Sequence, residues 1–388
     1  MQISENEFRR RVSDLERLME RDGFEALIAY GSRVQYGTVR YLTGYEPWLT
    51  PEEWAFAVLA PGHGAKLSLL SNSPWDFWDF NKKQSTWVAD VVVGSRWVES
   101  IAARLPAAAR RVGIVGWYGF PAPVFEGLRQ RFTQTTFADA TALVRELREI
   151  KSEAEIALLR RVGELGDRAA DAFFAAAAPG ATEREVVARI DAALMTGGTE
   201  QLAYFTILGS GPKTIASCFY PTDRKLQSGE IVQLDCGPML DGYKGDFSRV
   251  VLPGRARPQA AVRLVETVAE AHEVCASRLR AGTRCSEVAR AGLEVFERRG
   301  YSRANLLQSA NYPDMVFMGH GIGLENPDPP GMVTLTNETV LREGMVINLE
   351  PILLVPEVGG ARIETSYAVT SGDPVALSRS NIRPWISD

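Results

Sequence analysis

One stretch of this chain occurs twice, and a chain that repeats itself is constrained to fold as two related halves. Residues 229–239 read G-E-I-V-Q-L-D-C-G-P-M and residues 344–354 read G-M-V-I-N-L-E-P-I-L-L. Laid over one another, they set Gly229 on Gly344, Leu234 on Leu349 and Asp235 on Glu350. The strand that follows in each copy carries a second acid, Asp246 in the first and Glu364 in the second. In the first copy the two strands are joined by a turn at Asp241-Gly242. An acid inside an apolar strand is costly unless something pairs with it. For a single hairpin, acids facing water would satisfy that rule. Two related hairpins can instead face each other and aim four carboxylates at one point. Four buried anions repel, so such a point needs cations.

The repeat extends into the helices. Ser152 with Glu155, and Thr182 with Glu185, have the spacing of capping boxes. They predict one helix ending near Ala178, before Pro179-Gly180, and another running through Met195. The same pair recurs over 258–280 and 286–299, with Gly180 matching Gly282, Glu185 matching Glu287 and Val186 matching Val288. Each half is therefore helix, helix, hairpin, with the helices lining the outer face of sheets closed about a pseudo-twofold axis. The second half holds extra residues, among them F-M-G-H-G-I-G-L-E-N-P at 317–327. The chain has three histidines. His63 sits in a Pro-Gly-His-Gly turn and His272 on a helix, and both read as structural or solvated. Glycines flank His320, letting backbone crowd close to whatever its ring touches.

The residues up to 148 have a different texture. Phe8–Arg21 has the apolar period of an amphipathic helix. Strands are expected at 26–30 (ended by Gly31), 55–59, 66–70, 88–93 and 111–115, with helices at 98–109 and 123–131. That alternation gives an α/β layer. We therefore divide the chain at 148/149, and its length accommodates two cores. Seven of the eight tryptophans fall in the first part. Core packing accounts for most of them. Trp48, Trp75 and Trp78 lie in loop-like sequence and are candidates for an aromatic wall over a site, in cis or from a neighbouring subunit.

Composition narrows the functions. The net charge of −5, without a basic stripe or polybasic tail, points away from nucleic acid and from anionic lipid. No apolar run is long enough to cross a bilayer. The polar, acidic first residues are unlike a signal peptide. The four cysteines have neither metal-binding nor disulfide-framework spacing, which suits reduced residues, most of them in the core, of a cytoplasmic protein. No dinucleotide or phosphate-loop glycine pattern is present; Gly209-Ser210-Gly211-Pro212-Lys213 fits neither.

The order Asp235, Asp246, His320, Glu350, Glu364, with G-H-G-I-G about the histidine, resembles the pita-bread metallohydrolases: methionine aminopeptidase, aminopeptidase P, prolidase and creatinase. The resemblance covers the whole chain. It implies a creatinase-like N-terminal α/β domain (1–148) and a pita-bread catalytic domain (149–388) introduced by R-E-I-K-S-E-A-E-I. It also implies two divalent metals. By position, Asp235 would bind one, His320 and Glu350 the other, and Asp246 and Glu364 would bridge them. A homodimer is expected on the same ground. The residue chemistry agrees: four carboxylates and one imidazole suit Mn, Fe, Co or Zn, with no thiolate to choose among them. Two such ions about 3.5–4 Å apart can share a hydroxide and polarise a substrate oxygen. Glu350 is then the candidate general base and acid. Arg362 would orient a bridging carboxylate, or else be a surface arginine.

The sequence also departs from the peptidases. Prolidase-like members show P-H-Y-x-P-T before the first metal strand, where this chain reads Ser217-Cys218-Phe219-Tyr220-Pro221-Thr222. Cys218 stands at the histidine. They show a second histidine, in H-E, where this chain has Asn326-Pro327-Asp328, with Pro327 at that position. Cys218, Tyr220, Asn326 and Arg362 are therefore substrate-pocket candidates beside the three tryptophans. The expected function is dinuclear-metal hydrolysis of a C–N bond in a small-molecule or dipeptide-sized substrate. The alternatives are an Xaa-Pro dipeptidase or aminopeptidase using other polar groups, and a metal-dependent lyase resembling the pita-bread dimethylsulfoniopropionate lyases. A binding protein with a vestigial site is disfavoured by retention of all five ligands.

Overall fold

The computed structural model describes residues 3–47, 50–73, 86–216, 218–306 and 316–384. The chain forms two compact units, Met1–Glu149 and Ile150–Asp388. Trp48, Trp75 and Trp78 lie outside the described residues.

In the first unit, Ser4 caps α1 (Glu5–Arg21), and Phe8, Val12, Leu15 and Met19 form its buried stripe. There follow β1 (Ala26–Ser32), α2 (Gly37–Thr43), β2 (Trp54–Leu59), β3 (Leu67–Ser71), β4 (Asp90–Val93), α3 (Trp97–Ala102), β5 (Arg111–Val115), α4 (Ala122–Arg131), β6 (Thr136–Asp139) and α5 (Thr141–Glu149). The strands make one mixed sheet in the order β4-β3-β2-β1-β5-β6. Two expectations are corrected. Gly31 does not end β1 but stays in the ladder opposite Ala55, and α2 packs so close that a side chain there would lie 2.8 Å from Val39 Cγ2. The helix expected over 98–109 stops at Ala102. Pro106 has no N–H to give the Ala102 carbonyl, so the helix cannot run through it. The described tryptophans fill space as expected: Trp97 packs on Phe56 and Trp54, and Trp87 stacks on Phe8.

The second unit shows the duplication as strand pairing. Both capping boxes form, starting α6 (Glu153–Ala176) and α7 (Glu183–Gly197). Next come β7 (Gln201–Leu202), β8 (Ile207–Ser210), β9 (Val232–Cys236), β10 (Pro238–Leu240), β11 (Tyr243–Lys244) and β12 (Phe247–Val251). The chain passes from β9 into β10 through Gly237, yet β9 pairs with β12 and β10 with β11. The hairpin thus changes sheets midway. The second half does the same after α8 (Gln259–Ala276) and α9 (Cys285–Arg298). There β15 (Val346–Leu349) pairs with β18 (Thr365–Ala368), and β16 (Ile352–Val355) with β17 (Gly359–Arg362).

In both copies the acids stand at the change of sheet. Asp235 is near the end of β9 and Asp246 directly precedes β12; Glu350 directly follows β15 and Glu364 directly precedes β18. One apolar cluster packs α6 and α7 against β9 and β12, and another packs α8 and α9 against β15 and β17. The copies meet where Glu364 N–H donates to the Ser248 carbonyl (3.1 Å). The extra residues of the second half supply β13 (Phe317–Gly321) and β14 (Asp328–Thr334), and β13 lies between β14 and β15. No helix among the described residues is long and apolar enough to cross a membrane.

Candidate metal centre

The strand ends carry Asp235, Asp246, Glu350 and Glu364 to one place, and β13 adds His320; all five are buried. They form two trios that share one member. Ligand atoms of Asp235, Asp246 and Glu364 lie within 4.8 Å of one another, and so do those of Asp246, His320 and Glu350. The glycines around His320 make this possible. A Cβ on Gly319 would lie 2.1 Å from the Asn348 carbonyl oxygen, and one on Gly321 2.3 Å from that of Asp328. The neighbouring strands could not otherwise close on the histidine.

The ring is oriented by its own backbone. His320 Nδ1 lies 2.9 Å from the Gly321 carbonyl, so Nδ1 carries the proton to that carbonyl and Nε2 faces the acids. Nε2 is 3.1 Å from Asp246 Oδ2 and 3.4 Å from Glu350 Oε2. A ring held this way presents its lone pair as metal-binding histidines do.

Arg362 is buried, and the surface alternative is corrected. Its guanidinium reaches three of the four acids. Nη2 bonds Asp235 Oδ2, Nη1 lies 3.2 Å from Glu350 Oε1 and Nε 3.3 Å from Glu364 Oε1. Asn326 Nδ2 donates to Asp246 Oδ2 at 2.7 Å.

The electrostatics are those of a site short of positive charge. Burial, then the neighbouring acids against the pull of Arg362, brings Asp235 up to about 7. Burial and the charges of Asp246 and Asp235 push Glu364 well above the carboxylate range. Burial would lower His320, but hydrogen bonds to Asp246 and Glu350 overcome it and raise the ring to about 10. Burial would raise Asp246, but the imidazolium holds it below its ordinary value. Protons on Glu364 and His320 thus do in the polypeptide what cations would do. In addition, Glu364 Oε2 accepts no hydrogen bond among the described residues. These residues fit divalent cations: hard oxygen donors, one oriented imidazole and uncompensated negative charge. Cys236, next to Asp235, belongs to the apolar cluster of the first half, so no thiolate joins the donor set.

Of the other sequence candidates, Asn326 and Arg362 reach the acids. Cys218 is exposed, and Tyr220, 70% exposed, stacks on Phe205 with ring centroids 4.3 Å apart. His63 is partly exposed and His272 wholly buried. Sequence reasoning missed Tyr204. Its hydroxyl lies 2.6 Å from Asp235 Oδ1 and 2.5 Å from Asp246 Oδ1. A lone tyrosine ahead of a short strand carries no periodic signal that would single it out.

Residues 157–371 match the model of metallopeptidase family M24, and residues 11–150 match the creatinase/prolidase N-terminal domain. An Xaa-Pro dipeptidase of Pyrococcus horikoshii is 29% identical over 263 residues, covering 68% of this chain and 71% of that one. Among solved structures, the prolidase from Pyrococcus horikoshii superposes with a TM-score of 0.82 at 24% identity, covering 96% of this chain and 99% of that one. Dipeptidase PepE from Mycobacterium ulcerans superposes with a TM-score of 0.78 at 25% identity, covering 98% of each.

Proposed function

The chain belongs to metallopeptidase family M24, and on that footing we propose that its five buried ligands hold two divalent cations and hydrolyse a C–N bond in a dipeptide-sized substrate. As a member it is a metal-dependent hydrolase with the pita-bread fold. The observation that carries the proposal is the pair of trios sharing Asp246. One trio alone would serve a single ion; two with a common acid suit a bridged pair. Asp235, Asp246 and Glu364 would hold one ion, and Asp246, His320 and Glu350 the other. Glu364 belongs to the first trio, and its Oε1 lies 3.3 Å from Arg362 Nε; the family resemblance has it bridge as well. Bound there, the cations would supply a hydroxide nucleophile at neutral pH and polarise the substrate oxygen.

The side chains do the rest. Glu350 faces His320 through Oε2 and Arg362 through Oε1. Held so, it takes the proton of the attacking water and returns it to the leaving nitrogen. Arg362 fixes Asp235 and Glu350 and offsets part of the acids' charge.

Xaa-Pro dipeptides are the first substrates to test, because the relatives named above include an Xaa-Pro dipeptidase. The lyase expectation gains no support from those relatives. Protein stripped of metal and reloaded with Mn, Co, Zn or Fe is assayed against Xaa-Pro dipeptides, other dipeptides and small cyclic amides. Release of free proline that depends on added metal is the expected result. An unsaturated acid formed without consumption of water would overturn hydrolysis. Turnover of cyclic amides alone would exclude the dipeptides.

A further inference from the structure

Asp246 is the acid common to both trios, so it would bridge two cations held there, and its orientation would govern both positions. Two neutral side chains hold it, the single hydroxyl proton of Tyr204 being shared between Asp246 and Asp235. Tyr204 Oη lies 2.5 Å from Oδ1, and Asn326 Nδ2 lies 2.7 Å from Oδ2. A carboxylate oxygen has two lone pairs. His320 Nε2 also lies 3.1 Å from Oδ2; once that ring gives up its Nε2 proton to bind a metal, Tyr204 on Oδ1 and Asn326 on Oδ2 would leave one lone pair on each oxygen for a metal. Unlike Arg362, neither donor brings a charge that competes with a cation.

The chain makes room for the tyrosine. A Cβ at Gly237, where β9 passes into β10, would lie 2.7 Å from Tyr204 Cε1 and 3.0 Å from Ala203 Cβ. The ring is thus seated against the backbone two residues after Asp235, which its hydroxyl also touches at 2.6 Å. Asn326 comes from the opposite side, on the segment between β13 and β14 that follows His320.

We propose that Tyr204 and Asn326 are positioning residues that clamp Asp246 from both sides as the bridge between the two cations, so that the pair is bound together and magnetically coupled. The proposal rests on the dinuclear assignment above. Neither residue touches the cations; each acts through the carboxylate, as donors behind metal ligands do.

The test uses the full chain as wild type, Tyr204→Phe and Asn326→Ala, stripped of metal and titrated with Mn²⁺ by calorimetry, then examined by electron paramagnetic resonance. Gly237→Ala, which displaces the tyrosine without removing its hydroxyl, is the third variant. Wild type is expected to take up two Mn²⁺ with the spectrum of an exchange-coupled pair. Each variant is expected to lose roughly 10- to 100-fold in affinity and to show the spectrum of uncoupled ions. Circular dichroism and the unfolding midpoint of the stripped proteins report the fold separately. Variants that are less stable when stripped, yet keep wild-type affinity and coupling, would reduce both residues to a structural role and overturn the clamp. Wild-type protein without a coupled pair would refute the dinuclear assignment, and the clamp with it. A coupled wild type matched by all three variants would refute the clamp alone.

Discussion

Arg362 is a fixed positive charge beside the four acids, and replacing it with methionine removes the guanidinium while keeping an unbranched side chain the length of its stem. The guanidinium reaches Asp235, Glu350 and Glu364. Without it, the least costly relief is for one more buried carboxyl to take a proton. At pH 7 that costs a carboxyl of ordinary affinity about 4 kcal/mol, within the 3–5 kcal/mol typical of breaking a buried pair. For a unit of this size the loss corresponds to an unfolding midpoint lower by roughly 8–16 °C. The sign with pH follows. A carboxyl whose folded affinity for protons is raised destabilises above its unfolded pKa and ceases to do so below it. The deficit of Arg362→Met should therefore shrink as pH falls from 7 towards 4. It should also shrink in saturating Mn²⁺, because cations replace the missing charge. The assay is calorimetric unfolding of both proteins, stripped and loaded, at pH 7 and pH 4.5. A deficit that is the same with and without metal, or that grows as pH falls, would refute this electrostatic account of the site.

Two further outcomes are expected. Glu350→Gln keeps a hydrogen-bonding oxygen but cannot carry a proton, so metal-dependent turnover should fall by at least about 100-fold while far-ultraviolet circular dichroism is unchanged; wild-type rates would remove Glu350 from the proton transfer. His272 is wholly buried with neither ring nitrogen bonded among the described residues, and burial, with the charges of Arg249 and Arg383, lowers it to about 3. The unfolded chain binds that proton below about 6.5 and the folded chain does not, so His272 withdraws stability as pH falls from 6.5 towards 3, about 2 kcal/mol of it by pH 5. His272→Leu should flatten the fall in stability between pH 6.5 and 5, seen in urea titrations at each pH; an unchanged slope would exclude His272 as its source.

The parts of the site legible in the sequence are those written twice. Asp235 and Glu350, and Asp246 and Glu364, could be found because each copy identifies its counterpart, and the capping boxes at Ser152 and Thr182 anchored the helices around them. His320 stood out through its glycines, and Gly319 and Gly321 do lie where strands crowd together. What was not legible depends on contacts distant in sequence. Tyr204 meets Asp235 and Asp246 across more than one strand, and the glycine that seats it, Gly237, reads in sequence as any strand-end glycine. Arg362 could have been a surface residue until its three acids were placed around it. In the first unit, α2 carries Gly37, Thr38 and Val39 at its start, a poor helix signal in only seven residues. It forms because one face packs on β1 at Gly31.

The most direct test of the whole account is a crystal grown in Mn²⁺ and measured at an energy where manganese scatters anomalously. Two peaks are expected, one among Asp235, Asp246 and Glu364 and the other among Asp246, His320 and Glu350. A single peak, or none with the five side chains still gathered, would contradict it.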